Sequence, residues 1–458
     1  MTMNTDNTKL NQELLHFLDE SPVNFFAVRN MAGMLDTAGA VRLYEGEHWE
    51  LKPGVRYYVT RNDSALIAFQ IPAGWESGWQ VIASHCDSPT FRIKANAEIA
   101  VENRYVKLNV EKYGGMICES WFDRPLSVAG RIVVRTPDGV EARLLKIDRD
   151  LLIIPHLAIH MNRTVNDGYK INPQKDMLPL FSDKKLPGED PGTESSEKAS
   201  ESSFLKLIAA EAGVSPEDIL DTELFLWNRA KGTVLGLHDE YIASGRIDDL
   251  GCVFASLKGF LNAVPGKNAA VHCVYDNEEV GSGTRQGAAS TFLSDVLHRI
   301  NGAFGGSEED YHLRLLKSFL LSADNAHGIH PNYTDKADPT SRPYLNGGIV
   351  IKYSANQKYT TDAVSGALFR EICAAANVPV QVFHNRSDQA GGSTLGNIST
   401  IQVPVLSADI GLAQLAMHSA YETAGACDTA YLVRAAEVFY ASSVSSRGDG
   451  NYRLQLPL

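Results

Sequence analysis

Five stretches of the chain set His, Asp or Glu where an apolar run ends or a helix opens: Ser84-His85-Cys86-Asp87, Arg246-Ile247-Asp248-Asp249, Asp276-Asn277-Glu278-Glu279, Ser322-Ala323-Asp324-Asn325-Ala326-His327 and Met417-His418-Ser419. Strand ends are where open α/β sheets place their ligands. Singly, each stretch has an ordinary explanation, since a loop carboxylate caps a helix or is solvated and a lone His packs in a loop. Jointly they supply two imidazoles and at least three carboxylates, the N/O donor set of one or two zinc-like ions and the wrong set for an iron–sulfur or copper–thiolate centre. The six cysteines, at 86, 118, 252, 273, 373 and 427, are scattered without a CxxC pair. They therefore read as buried thiols, neither a disulfide framework nor a thiolate zinc site.

The elements that must hold these residues follow from periodicity. Leu10, Leu14, Leu15 and Leu18 recur at helical spacing, and Ser21-Pro22 is placed to cap a second helix running towards Gly39. Strand-like runs at Tyr57–Val59, Ala65–Gln70 and Gln80–Ser84 lead into the His85 turn. From Phe91 to Leu157 short alternating segments separated by Gly, Pro and Asp-Gly turns predict a β insertion. Residues 181–203 are charged, small and Pro/Gly-rich, which predicts a flexible loop. From Gly245 onward helices alternate with apolar runs at Val271–Tyr275, Phe319–Ala323, Gly348–Tyr353, Val380–His384 and Val403–Ala408, the pattern of an α/β layer. The expected architecture is α/β: a mixed, largely parallel sheet flanked by helices in a discontinuous catalytic domain (1–90 and 236–458), with an inserted, mostly β domain at 91–235.

Composition narrows the classes further. With 458 residues, 44% hydrophobic and 21% charged, the chain can bury a sizeable core. Its net charge of -13 without a Lys/Arg block disfavours nucleic acid and anionic membranes as partners. A polar N-terminus without a secretion signal, and no apolar run near 18 residues, predict a cytoplasmic protein.

These motifs resemble the aspartyl aminopeptidase-like branch of the co-catalytic zinc aminopeptidases. SHCDSP is similar to that family's His-x-Asp turn, RIDDLGC to its bridging-Asp motif, DNEEVGSGTRQGA to its Glu-Glu motif, SADNAHGIHPNY to its second Asp motif and AMHSAYETAGACD to its C-terminal His motif, in the family's order; IPHLAIHMNR resembles part of its inserted domain. Cys86 departs from the pattern, where a hydroxyl residue is usual, and its side chain is expected to point away from the metal. The resemblance implies two zinc ions per subunit, with cobalt or manganese as substitutes: His85 and Asp324 on one, Glu279 and His418 on the other, Asp248 bridging. Two ions roughly 3.5–4 Å apart sharing a carboxylate suit activation of a common water. Glu278, beside a ligand, is then the general base, and Asp87 orients His85; outside this constellation both would read as caps.

Substrate contacts are drawn more loosely. His327 could hold the oxyanion or be a packed loop residue. Lys352, in GGIVIKYS, matches the family position that meets an acidic first side chain, and a solvated strand-end Lys is the competing reading. Ser393 and Thr394 lie in a small-residue turn of the sort that lines clefts. His160 resembles a family residue that reaches into a neighbouring subunit's site. The implied activity is an aminopeptidase acting on peptides with a free, acidic N-terminus, in a homo-oligomer, a tetrahedral dodecamer built from dimers through the inserted domain. An N-acyl amino acid hydrolase or a non-catalytic scaffold on the same fold is the alternative.

Overall fold

The computed structural model describes residues 5–183 and 202–457. The predicted loop at 181–203 therefore lies almost wholly outside the described residues. The chain divides into two compact units: residues 1–88, 231–417 and 422–458 form the first, and 89–230 with 418–421 the second.

In the first unit a nine-stranded sheet runs in the order Val41–Leu43, Arg56–Arg61, Ala65–Gln70, Ala269–Tyr275, Trp79–His85, Phe319–Ala323, Leu406–Gly411, Ile349–Lys352, Val380–Phe383. Five of its eight pairings are parallel and three antiparallel. The four central strands are parallel to one another and buried on both faces, which is why their sequences read as unbroken apolar runs. Period-two alternation sorts the layers. Ile82, Ala270 and Val274 face a core shared with the helices Thr5–Glu20, Ile247–Asn262, Ala363–Ala375 and Asp428–Ala441; Val81, Ala83, Val271 and Cys273 face one shared with Phe292–Ala303 and Glu308–Leu315. Every strand run anticipated here forms, except that the last begins at Leu406, three residues late. A smaller five-stranded sheet, Thr233–Leu235, Tyr241–Ser244, Glu422–Gly425, Ala413–Leu415 and Ala326–His327, and a two-stranded one, Ser443–Ser446 with Tyr452–Gln455, belong to the same unit.

The second helix, Asn24–Thr37, departs from expectation at its start. Its N-cap is Val23, with no side-chain cap; the Ser21 hydroxyl instead accepts from Asn30 Nδ2 at 3.0 Å, tying the inter-helix corner to the middle of the next helix.

The second unit is a wholly antiparallel six-stranded sheet: Gly139–Lys146, Leu126–Thr136, Ile219–Asn228, Thr90–Val101, Tyr105–Tyr113, Leu180–Asp183. Its core gathers Phe91, Leu108, Trp121, Ile132, Leu224 and Leu226, closed by Phe204 and Ile208 of the helix Ser203–Ala212.

Candidate metal centre

Three neighbouring parallel strands deliver the first donors. His85 ends its strand, Asp324 follows Phe319–Ala323, and Glu278 and Glu279 follow Ala269–Tyr275 in a single 3₁₀ turn opened by Asn277 in the left-handed region, φ 61°. Asp248 arrives from the front of Ile247–Asn262, where it and Asp249 leave helical geometry and the peptide joining them is cis. Donor atoms of His85, Asp248 and Asp324 lie within 4.8 Å of one another, as do those of His85, Glu278 and Glu279. His85 Nε2 is 3.7 Å from Asp248 Oδ1. Two donors about 2.1 Å from one tetrahedral ion stand about 3.4 Å apart, so this spacing and this donor set fit zinc.

A web of buried hydrogen bonds holds the donors. Asp87 is more than a partner of His85. Its carbonyl lies 3.1 Å from His85 Nδ1, while its two carboxylate oxygens accept from the backbone N–H of Glu278 and of Glu279, each at 3.1 Å. One residue thus fixes the imidazole through its carbonyl and the Glu-Glu turn through its carboxylate. Asp249 Oδ2 accepts from His85 N at 3.3 Å and Glu422 Oε2 from Asp248 N at 3.1 Å. Asn325 Nδ2 donates to the Ile247 carbonyl at 2.8 Å and to Gln414 at 2.9 Å, fixing the start of the Asp248 segment. Sequence reasoning passed over Asp249, Asn325 and Glu422, although all three stand inside the quoted motifs.

The electrostatics are those of anions crowded in a dry site. Burial, first of all, raises the Glu278 carboxyl to about 7; His85 opposes, and Asp324, Asp87 and Asp248 add to the rise. Burial likewise raises Asp324, against the pull of Lys352, and holds Asp249 well above the ordinary carboxylate range. Burial opposes charge on His85, but the neighbouring carboxylates of Asp248 and Asp87 outweigh it and carry the imidazole upward. A divalent cation reverses these carboxylate shifts by favouring the charged forms.

Other anticipated residues are distributed as follows. Lys352 is neither solvated nor exposed: it is 3% exposed, donates to the Asn325 carbonyl at 3.0 Å and stands 3.8 Å from Asp324 Oδ1, which corrects the solvated-strand-end reading. His327 is exposed, its ring 6.1 Å from that of Phe383. Ser393 is exposed, whereas Thr394 is buried and its hydroxyl donates to Asp409 Oδ1 at 2.5 Å, so the Thr394 hydroxyl is turned into the protein. Cys86 Sγ faces the carbonyls of Ser64 and Tyr275 at 3.1 and 3.4 Å, away from the donors as expected. His418 and His160 belong to the second unit. His418 has φ 66°, rare for a non-glycine residue, and its Nδ1 lies 2.7 Å from the Gly115 carbonyl, which directs Nε2 to the opposite side of the ring. His160 stands exposed in the turn closed by Met161 N and the Ala158 carbonyl.

This sheet, with such a donor set at its strand ends, suits a metal-dependent hydrolase. Residues 17–440 match the model of the aminopeptidase I zinc metalloproteases, M18. Probable M18 family aminopeptidase 2 of Clostridium acetobutylicum is 46% identical over 433 residues, covering 94% of this chain and 98% of that protein. Its counterpart in Pseudomonas aeruginosa strain UCBPP-PA14 is 43% identical over 440 residues, with 95% and 99% covered. Among solved structures, a chain of the Ape4 and Nbr1 complex superposes with a TM-score of 0.90 at 35% identity, covering 96% of this chain and 87% of that one. The mApe1 dodecamer of S. cerevisiae gives 0.81 at 27%, with 95% and 96% covered. This chain belongs to the M18 family and is a metalloaminopeptidase of the zinc-dependent kind. No helix among the described residues is long and apolar enough to cross a membrane.

Proposed function

We propose that this aminopeptidase removes acidic residues, Asp or Glu, from the N-termini of peptides at a dinuclear zinc centre. The observation that carries the dinuclear reading is the convergence of His85, Asp248 and Asp324 donors within 4.8 Å, with Glu278 and Glu279 gathered around the same imidazole. In this reading His85 and Asp324 hold one ion, Glu279 and His418 the other, and Asp248 both. When bound, such a pair supplies Lewis-acid polarisation of the scissile carbonyl and a water acidified towards neutral pH.

The protein's own groups supply the rest. Glu278, positioned through its backbone by Asp87, takes the proton of the attacking water and returns it to the leaving amine. His327, exposed beside the Phe383 ring, donates to the developing oxyanion. Lys352 gives the site its acidic preference, as a cation next to Asp324, and Ser393 lines the cleft. His160 acts in the site of a neighbouring copy within a homo-oligomer of dimers, as the dodecameric assembly of the S. cerevisiae relative supports.

Rates on Asp-, Glu-, Leu- and Ala-aminoacyl substrates, for the native protein and for Lys352→Met, test the specificity. Asp and Glu should lead, and the substitution should abolish that lead. A Leu preference that Lys352→Met leaves alone would sink the acidic assignment without touching the metalloaminopeptidase one. Sedimentation of a monomer only would sink the oligomer.

A further inference from the structure

Asp409 is a fully buried carboxylate that the chemistry above does not use. It lies on Leu406–Gly411 directly opposite Lys352 of Ile349–Lys352, so the two side chains share one face of the sheet. Three donors converge on it. Oδ2 accepts from the Thr360 N–H at 2.6 Å and the Thr360 hydroxyl at 2.8 Å, and Oδ1 accepts from the Thr394 hydroxyl at 2.5 Å. Its own N–H donates to the Thr361 hydroxyl at 2.8 Å. Thr360 lies near the end of the loop that follows Ile349–Lys352, and Thr394 ends the loop that follows Val380–Phe383. Both loops leave the same end of the sheet, because their strands are parallel neighbours.

The second loop is a compact object. It starts at Phe383, which packs on Tyr359 and His327, ring centroids 6.2 and 6.1 Å away. Asn385 crosses it so closely that a Cβ on Gly391 would stand 2.3 Å from Asn385 Nδ2, and Gly391 has φ +48°. Beyond Thr394 the helix Leu395–Gln402 begins hard against the carboxylate: a Cβ on Gly396 would come within 2.9 Å of Asp409 Oδ2. Asp324 thus stands 3.8 Å from Lys352, Lys352 is the cross-strand neighbour of Asp409, and Asp409 holds Thr394, the residue that follows the exposed Gly391–Ser393 turn.

We propose that Asp409 is a positioning residue for substrate: by holding Thr394 and Thr360 at once it fixes the Gly391–Ser393 turn at the end of the sheet that carries Lys352, and so governs how tightly the aminoacyl end of the substrate binds. The inference rests on the aminopeptidase activity and not on the acidic preference, since the turn is held in place whichever N-terminal residue is favoured.

Thr394→Val keeps shape and removes one donor; Thr394→Ser keeps the donor. Losing one hydrogen bond to a charged acceptor corresponds to roughly ten- to a hundredfold. Thr394→Val is expected to raise KM about tenfold on whichever aminoacyl substrate the native enzyme cleaves, with kcat within about twofold, zinc content unchanged and faster amide hydrogen exchange at 391–393. Thr394→Ser should restore both KM and exchange. Asp409→Asn, which sets an amide against one of the three donors, should raise KM further; if it does not fold, the Thr394 pair alone decides. An unchanged KM in Thr394→Val overturns the proposal, and so does a fall in kcat with loss of zinc, which would mean that Asp409 acts through the metal centre.

Discussion

The two units of this chain solve burial in opposite ways. In the first, the interior holds His85, Asp87, Asp248, Asp249, Asp276, Asp324, Lys352, Asp409 and Asp428, none more than 8% exposed. In the second, the buried polar side chains among the described residues are Ser127 and Asn228, and neither carries charge. Both units expose large apolar side chains, but the first unit's most exposed ones, Leu237, Val264 and Ile401, are scattered along the sequence, whereas the second unit gathers Leu157, Ile159 and Met161, 47 to 73% exposed, in one segment. Buried ionisable groups persist only where partners or ions compensate them, whereas exposed apolar patches mark association surfaces. Buried ionisable side chains are thus concentrated in the first unit. Our assignment of association to the inserted unit rests on that contrast and on the family resemblance.

The contrast is most severely tested at the charges themselves. Asp248→Ala should lose bound metal, measured by atomic emission, together with all turnover. Glu278→Gln should keep the metal and lose 10²–10⁴-fold in kcat, the usual worth of a general base; near-native turnover would mean that another group activates the water.

Acid stability comes next. His272, in the middle of Ala269–Tyr275, is completely buried, neither ring nitrogen has a hydrogen-bond partner, and burial lowers its pKa to about 3. Since the unfolded value is about 6.5, the folded state takes up fewer protons there; this contribution is intact above pH 6.5 and is lost as pH falls from there towards 3. Burial pushes Asp276 and Asp428 up to about 7, and they pull the other way. Between pH 6.5 and 5 the His272 share is about 2 kcal/mol, at about 1.4 kcal/mol per pKa unit. Urea midpoints of His272→Leu should therefore fall less steeply over that interval than native ones, and parallel curves would refute the assignment.

Last comes the unit whose interior, among the described residues, holds no charge. Gly130 has φ +154° in Leu126–Thr136, and a Cβ there would lie 2.0 Å from the Glu223 carbonyl oxygen on the paired strand. Gly130→Ala should lower stability by about 1–3 kcal/mol through overpacking, with zinc content retained. A protease-resistance assay that finds the first unit opened before the second would contradict the placement of this defect.

What the sequence disclosed, and what it concealed, follows sequence distance. Strands such as Ala65–Gln70 and Phe319–Ala323 declare themselves through local composition, and the His85-x-Asp87 and Glu278-Glu279 pairs through adjacency. The double grip of Asp87 on a turn 191 and 192 residues away has no local signature, nor does the convergence of Thr360 and Thr394 on Asp409. Lys352 stayed open between two readings for the same reason: a strand-end lysine can pass for a solvated one until Asp324 and Asn325 are brought to it by folding. The small five-stranded sheet escaped because strands of two to four residues are too short to show a period.

The place of His85's strand in the sheet also has a consequence in time. Trp79–His85 lies between Ala269–Tyr275 and Phe319–Ala323, so during synthesis it stays an unpaired edge until the ribosome has delivered nearly two hundred further residues, and it gains its second neighbour only when residue 323 emerges. Asp324 follows that second neighbour immediately, and His418 comes almost a hundred residues later. A nascent chain of this peptidase therefore carries the separated pieces of its candidate metal centre through most of translation, and the site closes only near the end of synthesis.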